Sequence, residues 1–322
     1  MDRMLLRCAA VSASSGSRYA VGLDLGGTDL KVARVSADGR LEDFAKRPSR
    51  AAESAEGPLE AIAEAVAALT HGARDRLVGV GLGSPGVIDP ATGSLAGPTP
   101  HLHFWDVFPL RERLSQRLGL PVVVDNDANL AALAEHRLGA ARGARVSITV
   151  TVGTGIGAGI VVEGRVLHGA RGGAGEIGHL PLGRGGAPCR CGVPDCVEPD
   201  ASGSGLARHA RELGLSPAEA ATVFAAAEAG DPRAQAVVAA MADRLGAALG
   251  VAVSLIDPDV VVLGGGVAQA GERLLEPVRA AVNRYTLATH RQGLRVVAAA
   301  LGERAGVIGA GLLAWDAAAR SA

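Results

Sequence analysis

The same short unit occurs twice, about half a chain apart: a strand, a glycine turn, then a second strand. The first copy is Tyr19 to Leu25, Gly26-Gly27-Thr28, and Leu30 to Val35, closed by Ala37-Asp38-Gly39. The second is Ser147 to Val152, Gly153-Thr154-Gly155-Ile156-Gly157, and Ala158 to Val162, closed by Glu163-Gly164. In a dinucleotide-binding Rossmann unit the glycine turn opens a helix. Here β-branched residues follow both turns, so each turn leads into another strand.

Helices fill the rest. Leu59, Ile62, Val66 and Leu69 form one apolar stripe at helical spacing, and Leu110, Leu114 and Leu118 form another that Gly119 ends. Pro121 to Val124 reads as a short buried strand running into Asp125-Asn126-Asp127, with a helix from about Ala128 to Leu138. Ser216-Pro217-x-Glu219 reads as a capping box with proline at the first helical position. Asp231-Pro232 starts a long helix towards Ile256, Val260 to Leu263 is a strand ending in Gly264-Gly265-Gly266, and a last helix covers about Gly306 to Ala319. Strands alternating with helices give an α/β class. The 322 residues suit two domains or one large one, with a boundary near Asn126 to Leu138.

Composition excludes several functions. Basic and acidic residues number 32 and 33, a net charge of −1 with no block of one sign, which argues against nucleic-acid binding through a basic face. Aromatics are 2%, too few for a base-stacking platform. No apolar run reaches the roughly 18 residues that a membrane span needs. Lys31 and Lys46 are the only lysines, and neither stands in Gly-x4-Gly-Lys-Ser/Thr, so a P-loop is excluded. Of four cysteines, Cys8 stands alone and Cys189, Cys191 and Cys196 cluster, which is no even disulfide framework. That predicts a reduced, cytoplasmic protein. In the Met1 to Ser17 stretch Arg7 interrupts a short apolar run and no clean cleavage site follows, so residues 1–18 read as a disordered tail.

Three glycine turns follow three strands: Asp24 to Thr28, Gly153 to Gly157, and Gly264 to Gly266. Glycine lets backbone N–H groups approach an anion closely. One such turn is ordinary; three, two of them with threonine, suggest a nucleotide cradle. Asp127 follows a strand and opens a helix, where the helix N-terminus favours an ionised carboxylate. It is either an ordinary N-cap or a base that accepts a hydroxyl proton. His179, Cys189, Cys191 and Cys196 supply one imidazole and three thiols, the donor set of a closed structural zinc site. Glu176 and Glu198 flank that loop and could position hydroxyls, or be two solvated acids.

Taken together, Asp24-Leu-Gly-Gly-Thr28, Gly83-Ser-Pro-Gly86, Asn126-Asp127-Ala-Asn129, Gly153-Thr-Gly-Ile-Gly157, Glu176-Ile-Gly-His179, Cys189-Arg-Cys-Gly-x3-Cys196-x-Glu198 and Gly264-Gly-Gly266 resemble the ROK family of sugar kinases and repressors. The match runs from about Tyr19 to Ala319. The resemblance implies a two-domain actin-like ATPase (ribonuclease H-like) fold with a cleft between the domains. It places an N-terminal α/β domain at 19–127, completed by the C-terminal helix at about 304–322, and a C-terminal α/β domain at 128–303 with a zinc loop at 179–198. It implies ATP with Mg2+, structural Zn2+, a homodimer or higher homo-oligomer, and transfer to a hexose 6-hydroxyl.

By the resemblance, Asp127 is the general base and Asn126, Asp127, Glu176, His179 and Glu198 contact the sugar. Asp24, Gly26, Gly27, Thr28, Gly153, Thr154 and Gly155 contact phosphates. Gly264, Gly265 and Gly266 meet adenosine. His179, Cys189, Cys191 and Cys196 bind zinc. Three positions depart from the family pattern: His101 after Pro100, Pro199-Asp200 after Glu198, and Asp29 where lysine is common. The first two are expected near the sugar and bear on which hexose is accepted. Asp29 would weaken phosphate affinity unless Lys31 compensates.

A glucokinase-type enzyme is the reading this supports. The alternatives are a kinase for N-acetylmannosamine, N-acetylglucosamine or another hexose, and a non-catalytic sugar sensor. Only 18 residues precede Tyr19, which argues against the DNA-binding domain of the repressor branch. Polyphosphate stays open as a donor.

Overall fold

The computed structural model describes residues 17–99 and 102–321. Cys8, most of the N-terminal tail, Pro100 and His101 lie outside the described residues.

Two sheets share one strand order. The first contains β1 (Tyr19–Leu25), β2 (Asp29–Val35), β3 (Leu41–Pro48), β4 (Leu77–Ser84) and, later in the chain, Val122–Asn126, in the order β3-β2-β1-β4-Val122–Asn126. A two-stranded ribbon, β5 (Leu95–Ala96) with β6 (Val107–Phe108), makes Val122–Asn126 the seventh strand, β7. The second sheet runs β10-β9-β8-β11-β12, from β8 (Val146–Val152), β9 (Ile156–Val162), β10 (Arg165–Val166), β11 (Val260–Gly264) and β12 (Arg295–Ala298). In each sheet the glycine-turn hairpin is antiparallel, β1 with β2 and β8 with β9; β3 and β10 extend it antiparallel on one side, and β4 with β7, and β11 with β12, join in parallel on the other. The duplicated unit is therefore the seed of each sheet.

Ten helices join the described strands: α1 (Gly57–Thr70), α2 (Leu110–Leu118), α3 (Asp127–Leu138), α4 (Glu198–Ala201), α5 (Gly203–Glu212), α6 (Ala220–Glu228), α7 (Pro232–Ile256), α8 (Glu272–Tyr285), α9 (Ala288–Arg291) and α10 (Ala305–Ser321). The α1 stripe of Leu59, Ile62, Val66 and Leu69 is buried against the first sheet. Gly119 ends α2 in the left-handed conformation, φ 58°. Asp231 caps α7, accepting from Arg233 N at 2.8 Å and Ala234 N at 3.4 Å.

Two sequence readings need correction here. The helix after Ser216-Pro217 starts at Ala220, not at Pro217, with Glu219 as N-cap. Thr222 Oγ1 donates to Pro217 O and Glu219 O at 2.7 Å each, which holds the preceding turn out of the helix. Strand β9 begins at Ile156, inside the glycine turn. Helix α7 is long and apolar enough, by length and composition, to cross a membrane, but Asp243 and Arg244 interrupt its apolar run. Met241, Leu245, Leu249 and Val253 of this helix are buried in the core of the second sheet.

Helix α10 returns to the first sheet at backbone contact distance. A Cβ on Gly81 of β4 would lie 1.9 Å from Ala310 O, and one on Gly22 of β1 would lie 2.2 Å from Val307 O. Gly309 of α10 meets α3 just as closely: its Cβ would lie 1.9 Å from Leu130 O. Helix α3 is thus clasped by α10 on one side. On the other side it meets β9, where a Cβ on Gly159 would lie 2.6 Å from Ala132 Cβ. Its far end is tied by Arg137 to Asp316 (3.0 and 2.6 Å) and by the buried Glu135, which accepts from Ala140 N, Ala300 N and Leu301 N. Gly81→Ala should lower stability by about 1–3 kcal/mol or more, since the obstacle is helix backbone that cannot rotate away. Urea unfolding would show this as a lower midpoint with the slope unchanged.

Candidate active site

The first glycine turn is held by the segment after β3. Gly26 N donates to Asp29 O at 2.8 Å, Ser49 N donates to Thr28 O at 2.8 Å, and Ser49 Oγ donates to Gly27 O at 3.0 Å. Asp24, at the end of β1, is bonded by Lys31 Nζ at 2.8 Å. It also faces the first turn of α10, where a Cβ on Gly306 would lie 2.8 Å from the carboxylate. Desolvation lowers the Lys31 pKa, but Asp24 outweighs this and raises it, so the ammonium stays charged. The cation expected to compensate for Asp29 is therefore already bonded to Asp24, while Asp29 itself is exposed at the start of β2.

The second and third turns abut. A Cβ on Gly265 (φ 84°) would lie 2.4 Å from Val152 O, the residue before Gly153. Gly153 O accepts from Gly203 N at 2.7 Å, and Thr154 O from Ser204 N at 3.4 Å, which ties this turn to the start of α5. Glu198 supplies the other restraint: its Oε2 accepts from Ile156 N at 2.8 Å and leaves no room for a side chain on Gly155.

Between the turns lies the start of α3. The N-cap is Asn126: its Oδ1 accepts from Ala128 N at 2.9 Å and Asn129 N at 3.2 Å, and its Nδ2 donates to Gly86 O at 3.0 Å. One amide proton of Asn126 remains for a ligand. Asp127 is the first helical residue, so it is not the cap. Nor does it simply stay ionised. Burial pushes its carboxyl up to about 7, Asp24 and Glu176 add to this, and the Ala128 amide and Lys31 pull it down. The sequence reading weighed the helix terminus and could not see two further acids arriving from distant segments. Asp127 Oδ1 accepts from Ala128 N at 2.8 Å, leaving Oδ2 for a substrate group.

Glu176 closes the far side. Burial pushes its pKa up, the neighbouring His179 lowers it, and Glu198 raises it. His179 sits on a short 3-10 turn, Ile177–His179, with Nδ1 3.5 Å from Cys189 Sγ and Nε2 3.9 Å from Glu176 Oε2. One nitrogen thus faces the thiols and the other the acids. The donor atoms of His179, Cys189, Cys191 and Cys196 all lie within 4.8 Å of one another, and Cys191 Sγ is 3.5 Å from Cys196 Sγ. Tetrahedral bonds of about 2.3 Å to sulfur and 2.0–2.1 Å to nitrogen require such separations, so the four residues fit zinc.

The loop that carries the thiols is fastened from outside. Arg244 bonds Asp195 at 3.2 Å and also Gly185 O, and Ala187 N donates to Asp200 Oδ2 at 3.2 Å. Asp200 also pairs with Arg208. The Asp200 departure, expected to bear on the sugar, is thus bound into the support of the zinc loop. Sequence reasoning missed these fasteners, and missed Asp125 and His168, because their partners lie far apart in the chain.

The family model described as ROK family matches residues 20–317. The chain is 39% identical over 314 residues to the glucokinase of Halalkalibacterium halodurans, spanning 92% of this chain and 94% of that protein. It is 36% identical over 298 residues to an N-acetylmannosamine kinase of Escherichia coli, spanning 91% and 97%. The crystal structure of a ROK family glucokinase from Streptomyces griseus, in complex with glucose and AMPPNP, matches with a TM-score of 0.81 at 35% identity, covering 92% of this chain and 99% of that one.

Protein purified without added metal should contain about one zinc per chain, the stoichiometry of a closed four-ligand site. Elemental analysis checks this. Removing the metal with a chelator should lower thermal stability, and adding zinc should restore it.

Proposed function

The chain belongs to the ROK family, has the two-domain actin-like ATPase fold and is a sugar kinase, and we propose that it transfers the γ-phosphoryl of ATP to the 6-hydroxyl of glucose. The observation that carries the mechanism is Asp127. It is a part-buried carboxyl with one oxygen on a helix amide and a pKa of about 7, set between a glycine turn and two further acids. A base poised near the working pH serves proton transfer best.

In the proposed reaction Asn126, Glu176, His179 and Glu198 hold the sugar hydroxyls. Asp127 Oδ2 takes the 6-hydroxyl proton as the oxygen attacks phosphorus. The Gly26-Gly27-Thr28 and Gly153-Thr154-Gly155 turns hold the phosphates, and Gly264 to Gly266 the adenosine. Magnesium bound with ATP would neutralise phosphate charge, and Asp24 is the carboxylate that would hold it. Lys31 keeps Asp24 compensated. Zinc would supply no chemistry of its own; bound by Cys189, Cys191 and Cys196 together with His179, it would fix the ring of His179. Closure of the cleft excludes water that would otherwise hydrolyse ATP. We propose the division into 19–127 with 304–322, and 128–303, with α3 as the floor between the two; the two separate five-stranded sheets support it. We further propose a cytoplasmic enzyme that works as a homodimer, a state that sedimentation would read.

A second reading, a kinase for N-acetylmannosamine, is favoured by the 36% identity to such an enzyme. A coupled ADP-release assay with ATP, magnesium and separate hexoses decides between the two. Turnover on glucose above the N-acetyl sugars supports the first reading, and the reverse order replaces it.

Asp127→Asn should keep hexose binding while cutting kcat by about 10²–10⁴-fold, the usual worth of a positioned base. Retained turnover would remove Asp127 from that role. The pH profile of kcat/KM should bend near 7 and fall about tenfold per unit below it, as the base is protonated. Lys31→Met should move that bend to higher pH, because a lost neighbouring cation disfavours the carboxylate. A bend that stays in place would show that the Lys31 charge does not act on the base.

A further inference from the structure

Between β10 and Glu176 the chain runs through residues 167–175, outside the motifs already assigned. His168 reaches back from this loop to β7: its Nε2 lies 2.7 Å from Asp125 Oδ2. Asp125 is 4% exposed and directly precedes Asn126 and Asp127. Its Oδ1 accepts from Asn126 N at 2.7 Å and Asn129 Nδ2 at 3.0 Å. With both Asp125 oxygens acting as acceptors, His168 Nε2 carries the proton of this bond.

The loop has no slack beyond this bond. Ala174 N donates to His168 O at 3.1 Å and closes it. At Gly172 (φ 84°) a Cβ would lie 2.0 Å from Ile88 O, and at Gly175 (φ 95°) 2.5 Å from Ala158 O. The segment is wedged between the strand exit after β4 and the middle of β9, and Glu176 follows at once. The causes that weigh most on the Asp127 carboxyl are burial, Asp24, the Ala128 amide, Lys31 and Glu176. The His168–Asp125 bond joins the backbone segments on either side of Asn126, Asp127 and Glu176.

We propose that His168 is a positioning residue for the acceptor sugar: its Nε2–H bond to Asp125 latches the loop ending in Glu176 to the strand end carrying Asn126 and Asp127. The two sides of the sugar site are then held at one spacing by a bond that touches neither substrate. This rests on the sugar-kinase reading above.

The test compares His168→Leu, which keeps bulk and removes the donor, with His168→Gln, whose amide N–H can take the place of Nε2–H. Both are made in the full-length zinc-loaded enzyme. Hexose KM, ATP KM, melting temperature and amide hydrogen exchange over 169–176 are measured. A hydrogen bond to a charged group is lost in the leucine variant, so its hexose KM should rise about tenfold or more, with ATP KM within about twofold. Exchange over 169–176 should quicken in that variant alone, and the glutamine variant should return hexose KM to within about threefold of the parent. An unchanged hexose KM in His168→Leu overturns the proposal. So does a parallel rise of both KM values with a lower melting temperature in both variants, the mark of a purely structural bond. If the parent enzyme phosphorylates no hexose, the kinase reading fails instead. The exchange comparison then decides alone, and equal exchange in His168→Leu and the parent overturns the latch.

Discussion

Helix α3 can form the floor of the site only because glycines let its neighbours touch it. Gly309 brings α10 against Leu130 O, and Gly157 and Gly159 bring β9 against Ala128 and Ala132. Close-packed interiors leave no soft layer between such surfaces. The helix therefore cannot tilt without moving both sheets, and the two residues at its start inherit that rigidity. Asn126 and Asp127 are placed by packing many residues away from them. The buried Glu135 and the Arg137–Asp316 pair secure the opposite end of the same helix, so its axis is fixed at both termini.

Rigidity alone does not make a base. Asp127 lies among acids, and Asp24, Glu176 and Glu198 all come to the cleft with it or with one another. Like charges in a poorly hydrated space resist joint ionisation. The single nearby lysine ammonium, Lys31, is bonded to Asp24, so Asp24 is the best compensated of the set and Asp127, its carboxyl pushed up to about 7, is about half-ionised near that pH. A hydroxyl proton then has somewhere to go at low driving cost. Replacing Asp127 by a fully solvated carboxylate would leave a weaker base in the same place.

Much of this was legible in the sequence because it is local. The two strand–turn–strand units, the αL stop at Gly119 and the Asp231 cap depend on neighbours within a few residues. The four zinc ligands are close in sequence too, and the donor types alone constrain the metal. What was misread depends on distant chain. Asp127 looked ionised because the helix terminus was visible and Asp24 and Glu176 were not yet beside it. Asp200 looked like a sugar-site substitution because its neighbour in sequence is Glu198; in space its partners are Arg208 and the amide of Ala187. Ser216 looked like a cap because the competing Thr222 hydroxyl bonds act on turn geometry, which spacing does not reveal.

Glu198 and His179 each face two ways, and this joins the parts of the cleft. Glu198 fixes the turn at Ile156 N while its charge acts on Glu176. His179 turns Nδ1 to the thiols and Nε2 towards Glu176. The spacing of the acids is therefore set by the Gly153–Gly157 turn at one end and by the cysteine loop at the other. A side chain that is restrained by a backbone amide or a metal loses few rotamers when a hydroxyl binds, so recognition costs less entropy. It also means that the zinc loop cannot shift without disturbing Glu176. The outer fasteners, Arg244 on Asp195 and Gly185 O, with Asp200 on Ala187 N, hold the loop against that shift. Arg244, Asp195 and Asp200 thus contribute to the geometry of the acids through two successive sets of contacts.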